Sequence, residues 1–92
     1  MIRFEFDPDK SAANKDKHGI DFVQAQLVWE DEKRIIVQAR SDTEVRYMAV
    51  GMIDGKLWAA FHTLRGDKIR IFSVRRARQG DKTNYDQQRD ET

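Results

Sequence analysis

Apolar and charged positions alternate at Phe4-Glu5-Phe6, as they do along a short strand. Asp7-Pro8 then reads as a helix N-cap followed by the first helical residue, and Gly19 supplies a stop just after His18. Asp21 opens a second helix, with Gln24 three residues on to complete a capping box and Ile20 and Ala25 placed for a hydrophobic staple. Phe22, Val23, Gln26 and Val28-Trp29 give this helix an imperfect apolar stripe.

Four strands are predicted next. Arg34 to Ala39 holds the β-branched run Ile35-Ile36-Val37, and Ser41-Asp42-Thr43-Glu44 is a polar turn. Arg46 to Ile53 is followed by Asp54-Gly55, a strong hairpin signal, and Lys56 to Leu64 returns. Arg65-Gly66-Asp67 turns the chain into Lys68 to Val74. Phe72 and Val74 break strict alternation there, which predicts a segment buried on both sides or bulged. From Arg76 onward the pattern reads as helix, interrupted at Gly80, with a polar tail after about residue 86. The expected fold class is α+β: two N-terminal helices packed on a four- to five-stranded antiparallel sheet, with a C-terminal helix, the sheet's other face being open or covered partly by that helix. At 92 residues the chain suits a single domain spanning residues 1–92.

Composition narrows the chemistry. Hydrophobic residues make up 39% and charged residues 36%, polar but compatible with a packed core. Without cysteine there is no disulfide or thiolate metal site, and the two histidines, His18 and His62, show no metal-ligand spacing. No signal peptide or membrane-spanning run is seen, so the expected location is cytoplasmic, without membrane contact. Phosphate-binding loops, hydrolase elbows and zinc motifs are absent as well.

The net charge of +1 says little, but its distribution says more. Arg65, Lys68, Arg70, Arg75, Arg76 and Arg78 face one acid, Asp67, in that stretch, whereas the rest of the chain is net acidic. Five of the six are arginine, whose fork matches phosphate oxygens. Arg46, Arg65, Arg70, Arg75 and Arg76 lie on strands or their turns, and neighbouring strands hold residues about 5 Å apart. Such arginines could converge on one phosphate and stabilise charge developing during RNA cleavage by its own 2′-hydroxyl. They could equally form a solvated face paired with acids.

The other candidates are each open to two readings. Asp42 and Glu44 could act as a base, orient an arginine, or merely form the turn. His18, beside Lys17, could transfer protons or simply suit a helix C-terminus. Tyr85 could stack on a base or pack on the sheet. His62, Trp29 and Trp58 read as packing residues.

Three segments in order resemble one family. Asn14-Lys15-Asp16-Lys17-His18-Gly19-Ile20-Asp21-Phe22 with Ala25, then Arg46 with Gly51, then Arg65-Gly66 and Ile69-Arg70-Ile71-Phe72-Ser73-Val74-Arg75-Arg76-Ala77 are similar to the signatures of BrnT-type toxins. The resemblance runs from about Phe4 to Tyr85. It implies a RelE-like fold and a ribonuclease toxin of a type II toxin–antitoxin system that needs no metal or cofactor. It also implies a BrnA-type ribbon-helix-helix antitoxin, two toxins with an antitoxin dimer, and operator DNA contacted only through the antitoxin. The site residues it implies are Arg65, Arg75, Arg46, His18, Glu44 and Tyr85 for catalysis, and Lys17, Arg70 and Arg76 for RNA binding. Phe72 and Val74 stand where the family has smaller or differently shaped residues, and Asp81 where glutamate is expected. Gly80 costs about 1 kcal/mol in a helix interior against alanine. The alternative functions are a module that binds nucleic acid or antitoxin without catalysis, or a decayed toxin acting only in autoregulation.

Overall fold

In the computed structural model, residues 2–39 and 42–90 are described; the predicted turn residue Ser41 lies outside them. β1 spans Arg3–Glu5 and α1 spans Pro8–His18. α1 contains no strong apolar stripe, so its limits come from its caps. Asp7 accepts a hydrogen bond from the Asp9 N–H at 2.9 Å, and Gly19, at φ 79°, returns its N–H to the Lys15 carbonyl. The face that α1 buries is polar. Ser11 Oγ accepts from the Phe22 N–H, and Asn14 Nδ2 donates to the carbonyls of Ile20 and Val74, each at 2.9 Å.

The second helix differs from its expectation in length. The Asp21–Gln24 capping box forms, but α2 covers only Phe22–Ala25 before the backbone tightens into a 3-10 segment over Gln26–Glu30. That tighter winding buries Val28 and Trp29 together, which a regular helix over this imperfect stripe would not do.

β2 (Ile35–Ala39), β3 (Arg46–Ile53), β4 (Lys56–Arg65) and β5 (Lys68–Arg76) form the predicted meander. Asp54 and Gly55 both take positive φ, as the tight β3–β4 hairpin requires. The sheet order is β1-β5-β4-β3-β2, and here the all-antiparallel expectation is corrected, because β1 pairs parallel with β5. After β1 the chain crosses one face through its helices to the far edge. β1 is then held beside β5 by Arg3–Asp67 and Glu5–Arg70 ion pairs and by Phe4 packed edge-on against Trp29. Periodicity within a strand carries no information about the direction of a neighbour so distant in sequence.

The anticipated irregularity in β5 is a bulge. Phe61 faces Ser73 and His62 faces Ile71, so Phe72 is the extra residue. Ile71 and Val74 therefore both point to the helical side, while Phe72 turns the other way, against Phe61.

Two apolar layers result. On the helical side Phe22, Ala25, Val28 and Trp29 pack on Ala49, Ala60, Ile71 and Val74. Gly51 belongs to this contact: a Cβ there would come within 2.8 Å of the Val28 carbonyl oxygen. On the opposite side Ile35, Met48, Val50 and Ala59 pack with Tyr85 of α3, which spans Gln79–Asp90. Gly80 falls in the first turn of α3 and does not interrupt it. α3 thus covers only part of the second face.

Candidate functional site

The uncovered part of that second face gathers the arginines. Arg46 shares the parity of the buried Met48 and Val50 on β3, and one step past the Tyr47–His62 pair it comes level with Thr63 of β4. Thr63 pairs with Arg70 of β5, which pairs in turn with Glu5 of β1. Arg65 lies two residues beyond Thr63 on the same side of β4, opposite Lys68. Arg75 stands across from Ala59, also on this face.

Phe61 and Phe72 sit between these rows, with ring centroids 6.3 Å apart. The Arg46 guanidinium carbon lies 4.7 Å from the Phe72 centroid, and that of Arg75 lies 5.2 Å from the Phe61 centroid. The bulge is what brings Phe72 here. Each ring holds a guanidinium over its face by cation–π attraction and restricts where a long, flexible side chain can go.

Acids modulate this positive face. Arg70 donates to Glu5 at 2.7 Å with both side chains about one-third exposed. Arg75 donates to Asp81 at 2.8 Å, and both of these are more enclosed. Glu44 Oε1 is 3.9 Å from Arg46 Nε, beyond hydrogen-bond range, and Arg46 Nε is buried with no hydrogen-bond partner among the described residues.

The remaining sequence-predicted residues lie elsewhere. Arg76 follows Arg75 but points to the helical side, 5.4 Å over the Trp58 ring. Lys17 and His18 end α1 on that same side, and Gly19, directly after them, lines a cavity with Trp58. Lys17, His18 and Arg76 therefore lie on the side of the sheet opposite Arg46, Arg70 and Arg75. Tyr85 is 3% exposed, and its hydroxyl donates to Asp31 Oδ2 at 2.6 Å. In this arrangement its ring has no open face for a base.

Asp31 also accepts the N–H groups of Met52 and Lys33. Burial works to raise its pKa, but the Tyr85 hydroxyl, those two N–H groups and the Lys33 charge outweigh it and hold the carboxyl below its ordinary value. His62 is buried between Trp29 and Tyr47. Burial lowers its pKa, only partly opposed by the Ala60 carbonyl, so it is a neutral packing residue near pH 7.

Sequence reasoning read Phe61 and Phe72 as core residues and noted Asp81 only as a departure from glutamate, and gave none of the three a part in the site. Asp81 carried one readable signal, its place three residues after Arg78. There it accepts the Arg78 N–H at 2.8 Å, as an acid in the first turn of a helix does.

Among the described residues, no three His, Cys, Asp or Glu side chains gather so that they could hold a metal ion. Nor is any helix among them long and apolar enough to cross a membrane.

A family model for the ribonuclease toxin BrnT of type II toxin–antitoxin systems matches residues 6–81. The chain belongs to this family. No curated protein sequence matches it significantly. BrnT-family membership makes the chain a ribonuclease toxin with a protein antitoxin as partner.

Proposed function

We propose that the open sheet face is where this BrnT-family toxin holds and cleaves RNA without a metal ion. The observation that carries this reading is that Arg46 of β3 and Arg70 and Arg75 of β5 share one face around the Phe61–Phe72 pair. A single RNA strand laid there meets cations for its phosphates and ring edges for its bases.

Cleavage by this route forms a bond from the 2′-oxygen to phosphorus and breaks the bond from phosphorus to the 5′-oxygen. A proton leaves the 2′-hydroxyl and another reaches the departing 5′-oxygen. Arg75 and Arg46 stabilise the phosphorane oxygens, where fixed positive charge is worth most. Arg65 and Arg70 extend the grip along the strand. Glu44 orients Arg46. Lys17, His18 and Arg76 take a flanking stretch of RNA that wraps the sheet edge, and His18 has the chemistry for proton transfer there. Tyr85 packs on the same side of the sheet and anchors α3 beside this face.

The partner in this reading is a BrnA-type ribbon-helix-helix antitoxin, two toxins joining an antitoxin dimer that alone contacts operator DNA. The complex is cytoplasmic.

Expressing the chain alone should arrest growth, and the purified protein should cut RNA equally well with EDTA present. Arg75→Ala should restore growth with the fold intact. Full toxicity in an Arg65→Ala, Arg75→Ala double variant would remove the assigned site.

A second reading has one observation in its favour: Arg70 and Arg75 already hold acids. A face neutralised in this way suits a module that binds nucleic acid or antitoxin without cutting. It predicts salt-sensitive RNA binding with no cleaved product.

A further inference from the structure

We infer that Asp81 is a positioning residue that holds Arg75 end-on, so that the other edge of its guanidinium is presented to an RNA phosphate. This rests on the ribonuclease reading above. Arg75 Nη1 has two hydrogens, and both are used inside the protein: one goes to Asp81 Oδ2 at 2.8 Å and one to the Arg76 carbonyl at 3.1 Å. Nε and Nη2 have no hydrogen-bond partner among the described residues. Those two nitrogens form the side-on fork that grips two oxygens of one phosphate.

Asp81 is itself fixed. It is buried, and the same Oδ2 accepts the Arg78 N–H at 2.8 Å at the start of α3. Packing of Tyr85 one turn later, with its hydroxyl on Asp31, anchors that helix to the sheet. The Phe61 ring limits the guanidinium from a further side. Arg75 is therefore constrained at one end by a carboxylate and across its plane by a ring, with one edge left for substrate. A carboxylate occupying the phosphate's own place would engage that fork side-on; Asp81 does not.

Two consequences separate positioning from mere support of the fold. Removing the Asp81 charge makes the face more positive, so RNA should bind more tightly. It also frees Arg75 to swing, so the chemical step should slow. Loss of folded protein, by contrast, lowers kcat and leaves KM unmoved.

The test is steady-state cleavage of an RNA oligonucleotide by wild type, Asp81→Asn, Asp81→Glu, Arg75→Ala and the Arg75→Ala, Asp81→Asn double variant. Asp81→Asn should lower kcat roughly tenfold to a hundredfold while KM falls. Asp81→Glu should recover part of kcat. In the Arg75→Ala background, Asp81→Asn should change kcat less than about twofold, because a residue acting through Arg75 has nothing left to act on. A rise in kcat for Asp81→Asn, an equal loss in both backgrounds, or no change would overturn the inference.

Guanidinium NMR of the wild-type chain, titrated with the uncleavable 2′-deoxy oligonucleotide, covers the case in which a variant fails to fold or the wild type fails to cut RNA. The Arg75 Nε signal should shift while the Nη1 bond to Asp81 persists. Breaking of that bond, or no shift, sinks the positioning role, whereas a wild type that cuts no RNA sinks only the ribonuclease reading.

Discussion

Arg75 combines a charge, a direction and a partner, and substitutions can separate them. Arg75→Lys keeps the charge but loses the planar fork. It should therefore cut RNA at least tenfold more slowly than wild type, measured as kcat/KM, while melting near the wild-type temperature. Recovery of most activity by lysine would show that only a point charge is needed. Tyr85→Phe removes the hydroxyl that meets Asp31 at 2.6 Å but keeps the buried ring. A hydrogen bond to a carboxylate contributes about 1.5–3 kcal/mol, so denaturant unfolding should show a loss of that order. Gly51→Ala should cost about 1–3 kcal/mol by the same measurement, since the new methyl meets the Val28 backbone and the 3-10 segment must shift. Residue types were the most legible layer of the sequence. The arginine set, the caps and the hairpin turn could be read directly, because each depends on local chemistry. The side of the sheet that each arginine faces could not, because it depends on the bulge at Phe72 and on pairing partners far away in the chain.

Elements show the same division. α1 was legible from Asp7, Pro8 and Gly19, although its sequence has almost no apolar face. What holds it to the sheet is Asn14, whose amide bonds Ile20 and Val74 and whose oxygen lies 3.3 Å from the Val74 N–H. Asn14→Ala would leave those buried backbone groups unmet. The expected loss is about 2–3 kcal/mol in denaturant unfolding, with hydrogen exchange rising in α1 before the rest of the protein. A uniform rise across the sheet would show instead that α1 and the sheet open together. The second helix could not be read in full, because the 3-10 winding over Gln26–Glu30 is imposed by burying Val28 and Trp29 against β3 and β4. The direction of β1 was invisible for the same reason.

At the scale of the molecule, pH acts through the core. His62 has its pKa lowered by burial, so the unfolded chain takes up a proton near pH 6.5 that the folded one resists. Stability is then fully present above that pH and falls as the solution is acidified through the interval below it. Thermal midpoints measured from pH 8 to pH 5 should decline over this range. A flat profile, with the His62 ring titrating at its ordinary value, would show that the ring is wetter than the packing implies. Asp31 adds a separate loss at lower pH, below its ordinary carboxyl value of 3.8, because its folded pKa is depressed.

The parallel pairing of β1 with β5 also determines when the sheet can close. Arg3 to Glu5 find their places only against Lys68 to Arg70, so the first of the five strands waits for the fifth. Arg75, and Asp81 beyond it, arrive later still. A nascent chain halted before β5 therefore lacks both the closed sheet and Arg75, the centre of the proposed site. The proposed site is thus assembled only once β5 has been made and has closed the sheet against β1.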